Sequence, residues 1–552
     1  MKSKLLLFLL IFSVSIMNAQ DEDAWVYFND KPSKNTFLNA PLTMLTQRAL
    51  DRRSRYNIPL DFKDVPIEAS YIDLVESASG ISVLAKSKWL NALHVKGTYE
   101  AIDALNALQV NGTNIVASIE FADKNILSDR KNSNQNVKSK SQNKLKIATN
   151  FNYGQAANQI QMLKGEILHH NNFTGAGMQI AVIDAGFPNV DTFSAFQRLR
   201  DNNQILGGYD FVNRNANFYT GYYHGMAVLS TIACYIYSDD GIATNDFVGT
   251  APDASFYLFI TEDYYNETPL EESLWVEAAE EADRLGVDVI NTSLGYYEFD
   301  DINYNYTYNN MDGQTTFITR GAEIAFSRGM LLVNSAGNEG NNSWHYIIAP
   351  ADAPSVLSIG AVDKDKFIAN FSSYGPTYDG RVKPDVCAEG AGVYIINASG
   401  SIATSNGTSF SGPIMAGMVT CLWQAFPNKT NAEITQIVKE SAHLYSNPTN
   451  HEGYGIPNFE TIYNTLSVEE AILDNEYFKF YPNPVNDYLN FYFPTDINEI
   501  EVTIYSLLGK KLIEKNVFKN LPKLEISQLP KGLYIIKTSF GTNNKISKFF
   551  KD

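Results

Sequence analysis

Over residues 151–466 the chain is predicted to form an α/β fold on a doubly wound, mostly parallel sheet, preceded by an α+β block and followed by a small all-β block. Three observations predict this. Short apolar runs in the middle of the chain alternate with longer segments, the pattern of strands joined by crossover helices. Net charge changes in steps, from +4 over residues 1–150 to −22 over 151–466 and 0 over 467–552. A polar stretch without aromatics, Lys124 to Asn150, separates the first two blocks.

At the amino end, Lys2 and Lys4 precede an apolar run from Leu5 to Met17, and Ala19 precedes Gln20. A basic start, a short apolar core and a small residue predict a secretory signal peptide over residues 1–19; the run is shorter than the roughly 20 residues that span a bilayer. No later segment reads as a span, so a soluble or surface-attached product is expected. The block from Ala24 to Ala122 mixes amphipathic patterns such as Pro41 to Arg53 with strand-like runs at Gly80 to Ala85 and Ile115 to Ile119. The segment that follows, rich in Asn, Ser, Lys and Gln, cannot bury enough apolar surface to offset its ordering entropy. It is expected to be an exposed linker, either a plain domain spacer or, on the sharper reading, a site of proteolytic maturation.

Within the central block, Met178 to Ile183 reads as a buried strand ending in Asp184, and further strands are expected at Ser255 to Ile260, Val287 to Asn291, Met330 to Ser335 and Val356 to Val362. Helices are expected at Leu270 to Leu285 and Thr316 to Arg328. The carboxyl ends of strands in such sheets are where functional groups gather, which singles out Asp184. The acidity of the block excludes nucleic acid and anionic lipid as partners. Its three cysteines, Cys234, Cys387 and Cys421, form neither a disulfide framework nor a metal-ligand spacing and are expected to be buried thiols.

The chemistry is placed at Gly407-Thr408-Ser409-Phe410-Ser411-Gly412-Pro413. Small residues lead into Ser409 and an apolar run follows from Ile414 to Phe426, so Ser409 is expected at the start of a buried helix, where unpaired N–H groups and the dipole favour an oxyanion. A serine needs a base. Of seven histidines, His224 in Gly221-Tyr222-Tyr223-His224-Gly225-Met226 stands before an apolar helical run, Met226 to Ile236.

Asp184 in Ile183-Asp184-Ala185-Gly186, His224 in His224-Gly225-Met226 and Ser409 in Gly407-Thr408-Ser409 resemble the three signatures of subtilisin-like serine proteases, in that family's chain order. Ser335-Ala336-Gly337-Asn338-Glu339-Gly340 resembles its oxyanion-hole segment, Asn291-Thr292-Ser293-Leu294-Gly295 its substrate-binding strand, and Gly249-Thr250-Ala251-Pro252 a further landmark. The resemblance implies a serine endopeptidase that forms an acyl-enzyme. In it Ser409 is the nucleophile, His224 the base, Asp184 its orienter and Asn338 an oxyanion donor. Ser293, Leu294, Gly295, Ala336 and Gly337 border the substrate, and Glu339 is either the rim of the primary specificity pocket or a solvated surface glutamate. Ala185, Met226 and Phe410 depart from the family's usual residues. They keep in view a second reading, a surface binding protein on a protease-like scaffold. The acidic, aromatic-rich stretch from Tyr296 to Asp312 is expected to shape a groove or to bind structural calcium through Asp300, Asp301 and Asp312. The chemistry itself requires no cofactor.

By the same resemblance residues 20–123 are a pro-domain, 124–150 a linker and 151–466 the catalytic domain, with Gly453-Tyr454-Gly455-Ile456-Pro457 near its close. Residues 467–552, with Phe480-Tyr481-Pro482-Asn483-Pro484, Val502 to Leu508 and Gly532 to Ile536, resemble the C-terminal sorting domain of Bacteroidetes-type cargo. That implies the type IX secretion machinery as a partner and a destination outside the cell or on its surface. A small β-sandwich accessory domain is the plainer reading.

Overall fold

The computed structural model describes residues 21–124, 151–237, 246–467, 480–493, 497–507, 509–540 and 543–552. The expected signal peptide and nearly all of the expected linker lie outside the described residues. The chain divides into two units, residues 1–460 and 461–552.

The first unit is organised by seven parallel strands in the spatial order Val386–Glu389, Leu357–Val362, Leu331–Ser335, Val289–Thr292, Gln179–Asp184, Ser255–Ile260, Ile205–Asp210. The chain starts near the middle, fills one side, then returns to build the other. Its order therefore reverses between Gln179–Asp184 and Val289–Thr292, and the crevice at their carboxyl ends is where open α/β sheets bind ligands. Ile180 to Ile183 are fully buried because helices cover both faces. On the Ala181 and Ile183 face lie helices Pro269–Leu285 and Phe317–Ser327. Helices His224–Ala233 and Thr408–Ala425 pack on the other. The Pro269–Leu285 helix is bounded by its own sequence: Thr268 and Glu271 form a capping box, and Gly286 takes the left-handed conformation (φ 87°) after the last turn.

In the central block the predicted strands and the helices expected at Leu270 to Leu285 and Thr316 to Arg328 fall within one or two residues of those observed, whereas the amphipathic stretch Pro41 to Arg53 becomes a short turn and helix Gln47–Arg55. The edge strands Ile205–Asp210 and Val386–Glu389 had no sequence signal: the first carries the Gly207-Gly208 pair and the second is four residues long. The predicted helix from Met226 begins earlier, at His224, and ends at Ala233, with Tyr235–Ile236 extended. All three cysteines are buried free thiols.

Residues 21–124 form an antiparallel sheet in the order Ser82–Ser87, Ala92–Thr98, Asp21–Phe28, Val116–Phe121, with helices Ala69–Glu76 and Tyr99–Ala104. Its own core includes Val26, Leu93, Val95 and Ile102. The sheet lies against the two outer helices of the parallel layer: Trp25 stacks on Phe317 (4.9 Å between ring centres) and donates to Ser273 Oγ at 2.8 Å. Glu280 accepts from the Ser87 hydroxyl and the Trp89 amide. An arm made of helix Gln47–Arg55 and the turns after it reaches further. Arg52 and Arg53 both pair with Asp283, and Arg48 pairs with Asp288. Tyr56 stacks on Trp423.

The second unit has two antiparallel sheets, one of strands Phe480–Tyr481, Tyr488–Phe491 and Lys523–Glu525, the other in the order Lys511–Phe518, Glu499–Ser506, Gly532–Phe540, Asn543–Lys551. Alternating residues such as Val502, Ile504 and Ile536 join Leu489 and Phe549 in one core, giving the all-β block expected. Among the described residues no helix is long and apolar enough to cross a membrane.

Candidate active site

Asp184 ends its strand at the point where the sheet order reverses, and its side chain is buried. The next residues turn sharply: Gly186 has φ 151°, and a Cβ there would lie 2.5 Å from the Thr220 carbonyl oxygen. Gly225 is equally constrained, since a Cβ on it would lie 2.8 Å from Asp184 Cβ. Two glycines thus let the His224–Ala233 helix start directly against the strand end. Asp184 Oδ1 and His224 Nδ1 are 2.8 Å apart, and the same oxygen accepts the Ala185 N–H at 2.8 Å. Oδ2 is buried with no hydrogen-bond partner. Burial of the imidazole disfavours its cation, but the charge of Asp184 and the hydrogen bond it accepts from Nδ1 outweigh burial, so the His224 pKa is raised above 6.5.

Ser409 is the second residue of helix Thr408–Ala425, entered through Gly407 at φ 151°. Its hydroxyl donates to the Ser293 carbonyl at 3.3 Å, and the Ser293 hydroxyl donates to the Ser409 carbonyl at 3.0 Å. The Phe410 ring lies 5.9 Å from the His224 ring, which brings the serine turn and the histidine together. Asn338 faces the same turn. Its Oδ1 accepts the Thr408 N–H at 2.8 Å and the Thr408 hydroxyl at 3.0 Å. Because a backbone N–H can only donate, the amide oxygen is the atom held there, and the NH₂ group is the one left for another partner. Gly337 donates to Thr408 Oγ1 at 3.3 Å.

Ser293, Leu294 and Gly295 continue from strand Val289–Thr292, with the Leu294 carbonyl accepting from Asn334 at 3.2 Å. Ala336 is buried, its N–H bonded to Ile359, so it contributes wall rather than contact. Glu339 accepts from Tyr297 and Asn342. Asp300, Asp301 and Asp312 do not converge. Asp300 accepts the Glu267 N–H, Asp301 caps a turn at Asn303, and Asp312 binds Gln314 and Thr315. Asp301 and Asp312 are satisfied in their own loops, and Asp300 by the loop ahead of helix Pro269–Leu285.

Sequence reasoning missed three features. Tyr222, two residues before His224, stacks on Tyr264 with ring centres 3.7 Å apart. Glu262, Glu267 and Glu271 hold carboxylate oxygens within 4.8 Å of one another, the one such acidic group among the described residues. Burial first, then mutual repulsion, pushes Glu262 up to about 8; burial and the charge of Asp300 push Glu267 up to about 7. The position of Glu262, two residues past a strand beside Asp184, was the available signal. The third feature, Ile348, left none, because it matters only through the two glycines folded beside it.

With this geometry described, comparison with known proteins gives matching descriptions. Residues 175–455 match the model of the subtilase family, 23–142 that of the peptidase S8 propeptide domain of Bacteroidota, and 479–552 that of the secretion system C-terminal sorting domain. Subtilisin NAT of Bacillus subtilis subsp. natto is 30% identical over 304 residues, 54% of this chain and 69% of the relative. Serine protease AprX of Bacillus subtilis is 25% identical over 332 residues, 55% of this chain and 70% of the relative. Among solved structures, that of MycP1 with its N-terminal propeptide removed aligns with TM-score 0.43 at 23% identity, over 55% of this chain and 96% of that one.

Proposed function

Because this chain belongs to the subtilase family, we propose that its peptide hydrolysis runs through Asp184, His224 and Ser409. The protein is a secreted serine endopeptidase that carries a pro-domain and a C-terminal sorting domain. The observation that carries the assignment is the 2.8 Å contact of buried Asp184 with His224 Nδ1. That contact fixes the tautomer in which Nε2 is free to accept a proton.

Ser409 Oγ turns from the Ser293 carbonyl toward His224, gives up its proton to Nε2 and bonds to the scissile carbonyl carbon. His224, now a cation stabilised by Asp184, protonates the leaving amine, and the C–N bond breaks to leave an acyl-enzyme. Water, deprotonated by His224, then releases the acid. The Asn338 NH₂ and the Ser409 N–H, one of the unpaired donors at the start of its helix, hold the oxyanion; removal of one such donor costs about 3 kcal/mol. An extended peptide adds along Ser293 to Gly295 by main-chain hydrogen bonds. No step calls for a metal. A structural calcium finds hard oxygen donors at Glu262, Glu267 and Glu271 rather than at Asp300, Asp301 and Asp312, and no step is routed through it.

The proposed boundaries are 20–123 for the pro-domain, 124–150 for the linker, 151–466 for the catalytic domain and 467–552 for the sorting domain, recognised by the type IX secretion machinery. A binding protein on an inactive scaffold is disfavoured because Met226 and Phe410 are buried in packing that leaves the Asp184–His224 pair intact. A fluorophosphonate probe should label the wild type and not Ser409→Ala; an unlabelled wild type would reject the catalytic reading.

A further inference from the structure

We infer that Ile348 closes the slot that receives the side chain at the cleaved position, restricting this protease to bonds that follow small residues. The inference rests on the proposed role of Ser409. Two backbone segments touch the Ser409 turn, Ser293–Gly295 through the paired Ser293 and Ser409 bonds and Gly337–Asn338 through Thr408. A peptide whose carbonyl carbon reaches Ser409 while its backbone lies along Ser293 to Gly295 must send that residue's side chain into the gap between these segments, since side chains of an extended strand alternate across its plane. Both segments present a glycine there, Gly295 and Gly337, so neither fills the gap itself.

Ile348 fills it. A Cβ placed on Gly295 would lie 2.8 Å from Ile348 Cγ1 and 2.9 Å from Cδ1, and one placed on Gly337 would lie 3.1 and 3.2 Å from the same atoms. The branched side chain therefore stands against both glycines at once and is itself buried. It is also held in place. The Ile348 N–H donates to the Ala336 carbonyl at 3.3 Å, and neighbouring Ala349 exchanges both backbone hydrogen bonds with Tyr296, at 2.8 and 3.2 Å. One wall segment fixes Ile348 directly and the other through its neighbour. A β-branched chain on so tied a backbone has one favoured rotamer and does not swing aside for a large guest. Glycine, alanine and serine fit above it, whereas leucine, phenylalanine and lysine meet its methyl groups.

The test uses protein purified from full-chain expression, with active sites titrated by fluorophosphonate, and two peptides that differ only in Ala or Phe at the residue bearing the scissile carbonyl. The wild type should prefer Ala in kcat/KM by about tenfold or more, the scale on which a pocket discriminates by fit. Ile348→Gly and Ile348→Ala should reverse or erase the preference, the second variant keeping ordinary backbone stiffness. A wild type that prefers Phe, or a ratio unchanged in both labelled variants, would overturn the inference while leaving the protease assignment standing. A wild type that neither labels at Ser409 nor cleaves either peptide overturns the assignment and this inference with it.

Discussion

Asp283 offers the sharpest test of how the pro-domain is held. Its carboxylate is fully buried and shared, Oδ1 with Arg52 and Oδ2 with Arg53 at 2.8 Å, both arginines coming from the Gln47–Arg55 arm. Asp283→Asn keeps the shape and removes the charge, leaving two buried guanidinium groups short of a counter-ion. Breaking a buried pair costs about 3–5 kcal/mol. Arg53 retains Asp64 at 2.7 Å and Arg52 retains the Val287 carbonyl, so the lower end applies. About 3 kcal/mol corresponds to roughly a 150-fold weaker inhibition constant. The assay is inhibition of the mature enzyme by residues 21–124 added in trans, a segment with its own sheet and core. Glu281→Ala serves as control, since Glu281 pairs with Arg284 on its own helix at the surface and such pairs contribute little. Burial alone would raise the Asp283 pKa, but Arg53 and then Arg52 lower it below 3.8. The pair's contribution is thus present above 3.8 and lost only below it, so the difference between wild type and variant should be the same at pH 5 and pH 8. An inhibition constant within threefold of the wild type would show that the arm does not anchor the pro-domain.

Ser409→Ala and His224→Ala should each lower turnover by several orders of magnitude, and the double variant should lose little more, because the residues act as one unit. Wild-type kcat/KM should fall as pH drops through a value above 6.5, since the raised His224 pKa means the base is charged and idle below it; a limb at or below the ordinary histidine value would contradict the Asp184 contact as the cause. In chelator-treated, calcium-free buffer, Glu267→Gln should raise the melting temperature at pH 8 and leave it nearly unchanged at pH 4. Burial and Asp300 raise this carboxyl from 4.5 to about 7, so the stability of its protonated form is present below 4.5 and lost as pH climbs through about 7.

The parallel layer was legible because its strands are short apolar runs between long amphipathic helices, and Asp184, His224 and Ser409 each sit where such an element ends or begins. Their meeting was not. Forty residues separate Asp184 from His224, and only the order of known signatures linked them. The arm was legible only in part. Pro41 to Arg53 reads as amphipathic, but nothing local shows that Arg52 and Arg53 are buried, because Asp283 meets them from more than 200 residues away. Buried ion pairs of this kind have no local pattern to read.

The arm also bears on timing. Arg48 and Arg52 engage Asp288 and the Val287 carbonyl, just ahead of strand Val289–Thr292, at the opposite end of that strand from Ser293. A cut anywhere in the proposed linker would leave these contacts untouched, so the severed pro-domain would stay seated until it is released or digested. If the seated pro-domain also inhibits, removal of that domain, and not the cut, would set when peptide hydrolysis begins.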